Sequence, residues 1–324
     1  MRDYNEAQGE ALKFTFHVSR ITRRYSMTTV HSDVPVLVSA AWLAARLGDP
    51  AVRPVDVRWY LTEPGKGRVE YDQAHIPGAP FMDMEGDLAS PHGQGPGRHP
   101  LPRPEAFAAA AGRAGIGDET HVVVYDSSGG AAAARLWWLL RYFGHPRVSL
   151  LDGGWPAWQR GGYPIETSAP SIAQASFTAV PRPEMVVDAD AVDRLRRDPR
   201  VLVLDARANE RYEGRVEPID SQAGHIPGAR SAPYAGNLRD DGSMKSADEL
   251  RDRYLALGAD AADQIVCYCG SGVTAAHDIL ALHLAGRTDA LLYEGSWSDW
   301  SSDPARPVAT GPEPVGPEAT ERGH

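Results

Sequence analysis

Cysteine is almost absent from this chain: its 324 residues hold two, Cys267 and Cys269. Two thiols cannot build the disulfide framework of a small secreted domain, so the expectation is a reducing, cytoplasmic setting. Long apolar runs are missing as well. None approaches the roughly 18 residues of a membrane span, and the N-terminus lacks the apolar core of a secretory signal. Positive charge is in deficit: 33 Lys and Arg against 43 Asp and Glu give a formal charge of −10. Nucleic-acid binders ordinarily show a basic balance, so the acidic charge argues against that class. An anionic substrate is not excluded, because a pocket can be locally positive on an acidic protein. No Gly-Lys-Ser/Thr run is present to form a nucleotide-binding P-loop.

What is present is ordinary for a globular protein, with 42% hydrophobic and 23% charged residues. The length suits two domains, each able to bury a core. The ends differ from the rest. Residues 1–33 are polar and of mixed charge, with Arg20, Arg23 and Arg24 clustered, and read as a disordered extension; Met27 is an alternative start. Asp3, Glu6 and Glu10 speak against a transit peptide. Residues 311–324 are rich in Pro, Gly and Glu and read as a disordered tail.

Between the ends the chain contains itself twice. His-Ile-Pro-Gly-Ala occurs at His75–Ala79 and again at His225–Ala229. A strand-like run precedes each copy, Val55–Arg58 and Val203–Arg207. An apolar strand follows each, His121–Tyr125 ending at Asp126 and Gln264–Tyr268 ending at Cys269. Small residues come next, then a helical stretch stopped by a glycine, Gly144 or Gly286. A third strand, Val148–Asp152 or Ala290–Glu294, leads to a tight turn and a tryptophan, Trp155 or Trp297. The order is kept throughout, so this is a duplicated domain. Strands apolar throughout, alternating with helices, indicate an α/β fold: two domains, each a central, mostly parallel sheet flanked by helices. The expected boundaries are 34–165 for a first domain without a catalytic cysteine, 166–186 for a linker and 187–310 for a catalytic domain. In the helix Ala275–Ala285, Ala276, Ile279, Leu280 and Leu284 share one side.

Ligand sites in such sheets lie beyond the carboxyl ends of the strands, where Cys269 sits. It opens the loop Gly270, Ser271, Gly272, Val273, Thr274, and a helix follows. Glycines let successive N–H groups turn inward, and a helix N-terminus adds partial positive charge. That cradle favours an anion: a thiolate, or the persulfide that succeeds it. Ser271 and Thr274 add hydroxyls. A cysteine phosphatase would need Cys-x5-Arg; that position is Ala275, which argues against phosphatase chemistry.

The Cys-Gly-Ser-Gly-Val-Thr-Ala loop, the two His-Ile-Pro-Gly-Ala segments, the Asp205-Ala-Arg207 to Arg211-Tyr212 stretch and Leu150–Trp155 together resemble the tandem-domain rhodanese family. The resemblance spans about Val36 to Val308. Within the family the neutral loop is most similar to the 3-mercaptopyruvate sulfurtransferases; thiosulfate sulfurtransferases tend to carry basic residues there. The resemblance implies two tandem rhodanese-like domains with only the second catalytic. Cys269 would take sulfur from 3-mercaptopyruvate, or alternatively thiosulfate, and hand it to a thiol acceptor, such as a thioredoxin-like protein or small thiol, or to cyanide. No metal, organic cofactor, nucleic acid or membrane is implied. A low-turnover sulfur-relay or binding module is the rival reading. Arg211 matches the family's donor-binding arginine. His75 matches a first-domain histidine that in relatives lies near the cleft. One departure stands out. Many mercaptopyruvate enzymes end a Pro-Glu-Pro-Arg segment in a second arginine; here the stretch reads Val216-Glu217-Pro218-Ile219-Asp220, and Asp220 would repel an anion.

Plainer readings apply to some of these residues. Cys267 lies inside an apolar strand and reads as core. Cys267, Cys269, His277 and His283 depart from zinc-finger spacing. Arg211 could be a surface ion-pair residue. His75 and His225 share one repeat position, and both could simply hold the turns before Pro77 and Pro227.

Overall fold

The computed structural model describes residues 33–312; the expected extension and tail otherwise lie outside the described residues. The first repeat runs β1 (Leu37–Val38), α1 (Ala40–Ala44), β2 (Val52–Asp56), α2 (Lys66–Gln73), α3 (Pro104–Arg113), β3 (His121–Tyr125), α4 (Ala133–Tyr142), β4 (Val148–Leu151) and α5 (Gly154–Arg160). The second runs β5 (Val186–Val187), α6 (Ala189–Leu195), β6 (Val201–Asp205), α7 (Asn209–Tyr212), β7 (Arg230–Ser231), α8 (Ala247–Ala256), β8 (Gln264–Tyr268), α9 (Ala275–Leu284), β9 (Leu291–Tyr293) and α10 (Ser296–Trp300).

Each repeat makes its own sheet, ordered β1-β4-β3-β2 and β5-β9-β8-β6-β7. The ladders between these strands are parallel. Register is conserved between copies: Asp56 lies opposite Tyr125 and Asp205 opposite Tyr268. The residues that follow, Asp126 and Cys269, therefore emerge at the same place, the carboxyl end of a central strand. β3 is buried at every residue, as expected of a strand covered on both faces.

Helix α9 departs from the sequence expectation of a single apolar face. Its residues Ala275–Leu282 are all buried. The reason is that α9 is sandwiched between its own sheet and α4 of the first domain, which is itself buried from Ala133 to Leu140. One core thus crosses the domain boundary, joining Leu136, Trp137 and Leu140 to Cys267, Ala276 and Leu280. Trp137 meets His283 edge-on at 5.6 Å. His277 crosses too, its Nε2 3.0 Å from the Gly129 carbonyl. Burial lowers its pKa to about 4, so the ring is neutral and donates there. Residues 166–186 run along the first domain: Ala175 donates to the Gly112 carbonyl at 3.0 Å, and Phe177 packs edge-on against Phe107.

Candidate active site

Cys269 is buried, 2% exposed. Its Sγ accepts the Gly272 N–H at 3.1 Å, so the loop curls around the sulfur. Its own N–H donates to Ser296 Oγ at 3.1 Å. The Trp297 and Ser298 amides donate to the Cys269 and Gly270 carbonyls, each at 2.9 Å, which locks the loop onto the start of α10. The amides of Ser271, Val273, Thr274 and Ala275 meet no acceptor among the described hydrogen bonds. They belong to the turn that opens α9, where partial positive charge collects. Val273 is buried against the core, and Thr274 is the N-cap residue of α9. Cys267 is wholly buried, and burial, with Asp278 and Cys269 beyond it, pushes its thiol well above the usual range. It is a neutral core residue.

Ser271 is part of a hydrogen-bonded chain that reaches into the other domain. His99 Nδ1 lies 2.7 Å from Ser271 Oγ, and His99 Nε2 lies 3.0 Å from Glu85 Oε1. Burial lowers the His99 pKa against the opposing pull of Glu85, so the ring is held neutral. The partners then fix its tautomer: Nε2–H donates to the carboxylate and Nδ1 accepts from the serine. Trp59 closes the outer side edge-on at 5.3 Å. Sequence reasoning missed both His99 and Glu85. A signal was there: from His75 to His121 is 46 residues, but from His225 to Gln264 only 39. The first repeat carries extra chain in the stretch that meets the Cys269 loop.

His75 takes a different place from the one its family match suggested. It is fully buried in its own domain, stacked on Tyr71 at 4.0 Å, with Nδ1 2.8 Å from the Tyr71 carbonyl. His225 does the same on Tyr212, at 3.7 Å and 2.8 Å. The shared geometry identifies both as turn-holding residues, and the histidine that reaches the loop is His99.

Three arginines surround the loop. Arg135 of α4 is fully buried and donates to the Gly272 carbonyl at 3.2 Å and the His99 carbonyl at 2.9 Å. It places a first-domain cation beneath the loop, its pKa lowered by burial to about 10 and supported by Glu294 and Cys269. Arg211 of α7 stands at the mouth. A Cβ built on Gly270 would lie 3.5 Å from its Nη1, and only 2.9 Å from Nη2 of Arg98. Arg211 also donates to Glu217 at 2.8 Å and to Asp220 at 3.0 Å. Arg98 pairs with the other oxygen of Asp220. Asp220 is thus drawn into the cationic cluster, where the sequence reading had it repel an anion. Burial raises its carboxyl above the ordinary range against the pull of Arg98.

Comparison with known proteins accords with this geometry. The family model for the rhodanese-like domain matches residues 39–161 and again 188–303. A Pseudomonas aeruginosa protein with the provisional name 3-mercaptopyruvate sulfurtransferase is 44% identical over 278 residues, 85% of this chain and 98% of its own. Mycobacterium tuberculosis SseB, provisionally named a thiosulfate sulfurtransferase, is 43% identical over 85% of this chain and 97% of its own. Among solved structures, SseA from Escherichia coli, described as a 3-mercaptopyruvate sulfurtransferase with the rhodanese fold, superposes with a TM-score of 0.73 at 36% identity, covering 82% of this chain and 100% of that one. The chain therefore belongs to the rhodanese family, as a sulfurtransferase built of two rhodanese-like domains.

Proposed function

We propose that the protein takes sulfur from 3-mercaptopyruvate, carries it as a persulfide on Cys269, and delivers it to a thiol acceptor. The observation that carries the choice of donor is the Ser271–His99–Glu85 chain beside the cysteine. Thiosulfate gives up its outer sulfur by cleavage of a sulfur–sulfur bond, and sulfite leaves without needing a proton. 3-Mercaptopyruvate is different. The Cys269 thiolate attacks the donor's thiol sulfur, the carbon–sulfur bond breaks, and the electron pair leaves as the enolate of pyruvate. The proton of the donor thiol must end on that carbon. A serine backed by a neutral histidine and a carboxylate can take and return it. The products are the Cys269 persulfide anion and pyruvate, so charge and protons balance. The unengaged amides of Val273, Thr274 and Ala275 suit the persulfide charge. A small thiol, a thioredoxin-like protein or, in the test tube, cyanide then removes the outer sulfur in ping-pong fashion. A reducing compartment such as the cytoplasm suits a free thiol. Among the described residues no helix is long and apolar enough to cross a membrane.

The test is kcat/KM for both donors in the parent and in Ser271→Ala. The expected result is a preference for 3-mercaptopyruvate that Ser271→Ala erases, with a loss of about a hundredfold or more on that donor and a far smaller one on thiosulfate. The pH profile sharpens it. The relay works with His99 neutral, and burial holds its pKa below the ordinary 6.5. Activity with 3-mercaptopyruvate should therefore persist below pH 6.5 and fall only as pH drops through that lowered value, a limb the thiosulfate profile lacks. Preference for thiosulfate in the parent, or equal losses on both donors, overturns the donor assignment.

A further inference from the structure

The donor must present an anion to the mouth of the loop, and one arginine, Arg211, was expected there. The structure brings a second from the other domain. Arg98 is held against the catalytic domain by its backbone N–H, which donates to Ser298 Oγ at 3.1 Å. The approach is possible because Gly97 has no side chain: a Cβ there would sit 2.4 Å from the Gly295 carbonyl oxygen, and its φ is +72°. From this anchor the Arg98 guanidinium reaches the Gly270 mouth beside that of Arg211. Its Nε and Nη2 are buried and meet no acceptor among the described residues. The carboxylate of Asp220 lies between the two guanidinium groups, one oxygen on Arg98 and the other on Arg211, with its side chain 4% exposed.

A carboxylate bridging two guanidiniums is the geometry in which such a pair binds a carboxylate ligand. We infer that Arg98 and Arg211 together form the donor-carboxylate site, and that Asp220 is an internal stand-in that occupies this site until an anionic donor displaces it. The inference deepens the donor reading above and rests on it for the identity of the anion. It also explains how the chain manages without an arginine after Pro218: the cation comes from the first domain instead. Asp220, together with Glu217 on Arg211, offsets the charge of two close guanidiniums until the donor arrives, and so lowers affinity for any competing anion. Glu217, accepting from both Arg211 and the Asp220 amide, holds the segment that carries the stand-in.

Pyruvate, the proposed product, is the probe, because it carries the carboxylate but no sulfur and binds without turnover. Its dissociation constant is measured by calorimetry on the full chain, alongside the KM for 3-mercaptopyruvate. In Arg98→Gln both should rise at least tenfold, with the loss falling mainly on KM. In Asp220→Asn, nearly isosteric, both should fall several-fold to tenfold. Values within twofold of the parent in Arg98→Gln, or weaker pyruvate binding in Asp220→Asn, overturn the inference. Should Arg98→Gln fail to fold, Asp220→Asn decides alone: tighter binding supports the stand-in and no tightening refutes it. The donor reading fails separately. A protein showing these pyruvate shifts but no transfer from 3-mercaptopyruvate keeps the two-arginine site and loses the donor. One that transfers readily with pyruvate binding and KM unmoved by both variants keeps the donor and loses the site.

Discussion

The loops after β3 and β8 are copies of one anion cradle, and they differ in what fills it. In the first domain the chain fills it permanently. Asp126 Oδ1 accepts from the amides of Ser128 and Gly130 at 2.8 and 2.9 Å, and Oδ2 from those of Ala132 and Ala133 at 2.8 and 2.9 Å. Four N–H groups converge on one buried carboxylate, which can neither leave nor react with a sulfur donor. In the second domain the same position holds a thiol whose sulfur receives one amide, that of Gly272. The amides of Ser271, Val273, Thr274 and Ala275 meet no acceptor among the described hydrogen bonds, and in the proposed mechanism they are free for the charge that arrives with the second sulfur. The comparison teaches that the cradle itself is not the catalyst. It is a property of the fold that one copy fills with its own carboxylate and the other, in the proposed mechanism, leaves open for turnover.

The strongest way to break that comparison is to exchange the occupants. Cys269→Ser should lower transfer by more than a thousandfold while the protein stays folded, because a hydroxyl of similar size replaces the thiol proposed to carry the sulfur. Asp126→Cys in that background should not restore transfer, although it places a thiol in the sister loop. Among the described residues the first loop has Ser127 and Ser128, but neither hydroxyl is hydrogen-bonded to a histidine, and His277 spends its Nε2–H on the Gly129 carbonyl instead. Donor turnover by either variant at a tenth of the parent rate would show that the cradle alone suffices. A smaller effect is expected from Asp126→Asn. An amide keeps one acceptor and turns two donors toward the Ala132 and Ala133 N–H groups. The cost should be about 2–4 kcal/mol, since charge-assisted bonds to buried N–H groups are lost and like faces like. For a protein of this size that is a fall in Tm of roughly 3–6 °C. An unchanged Tm in thermal denaturation would mean that the four amides do not need the charge.

How much of this was legible in the sequence depends on distance along the chain. The duplication, the parallel sheets and the strand-end position of Cys269 could all be read, because apolar runs, glycine stops and the Cys-Gly-Ser-Gly loop are local signals. Arg211 was singled out through the family resemblance, as the match to the donor-binding arginine after the Asp205-Ala-Arg207 strand end. The other half of the site was not found, because it arrives from the first domain: His99 meets Ser271 across 172 residues, and Arg98 meets Asp220 across 122. No periodicity records such a meeting. His75 was misplaced for the opposite reason. It lies in a conspicuous motif, but a motif present in both repeats serves what both repeats share, which is the Tyr71 and Tyr212 turn. Residues present in only one copy were the better guide to chemistry.

The smallest expected effect lies at the turn after the third strand, where a serine in one copy stands in the place of a glycine in the other. After the third strand of each repeat the backbone is left-handed at matching positions, Gly154 in the first and Ser296 in the second, both with φ +54°. In the first copy only glycine fits, since a Cβ there would lie 2.3 Å from the Asp126 carbonyl oxygen. In the second, a serine is held in that strained conformation, at a cost of about 1–2 kcal/mol. What it gains is a hydroxyl that accepts the Cys269 N–H at 3.1 Å and donates to the Tyr293 carbonyl at 2.9 Å. Ser296→Gly would relieve the strain but leave a buried N–H without its acceptor, a loss of about 1–3 kcal/mol. The two nearly cancel, so stability should change by no more than about 2 kcal/mol. Activity should not cancel in the same way: Cys269 loses the bond that fixes its backbone, and kcat should drop about three- to tenfold, since small misplacements of a reacting group cost rate disproportionately. A variant with parental kcat would make Ser296 a packing residue and leave the difference between the copies to the occupant of the cradle alone.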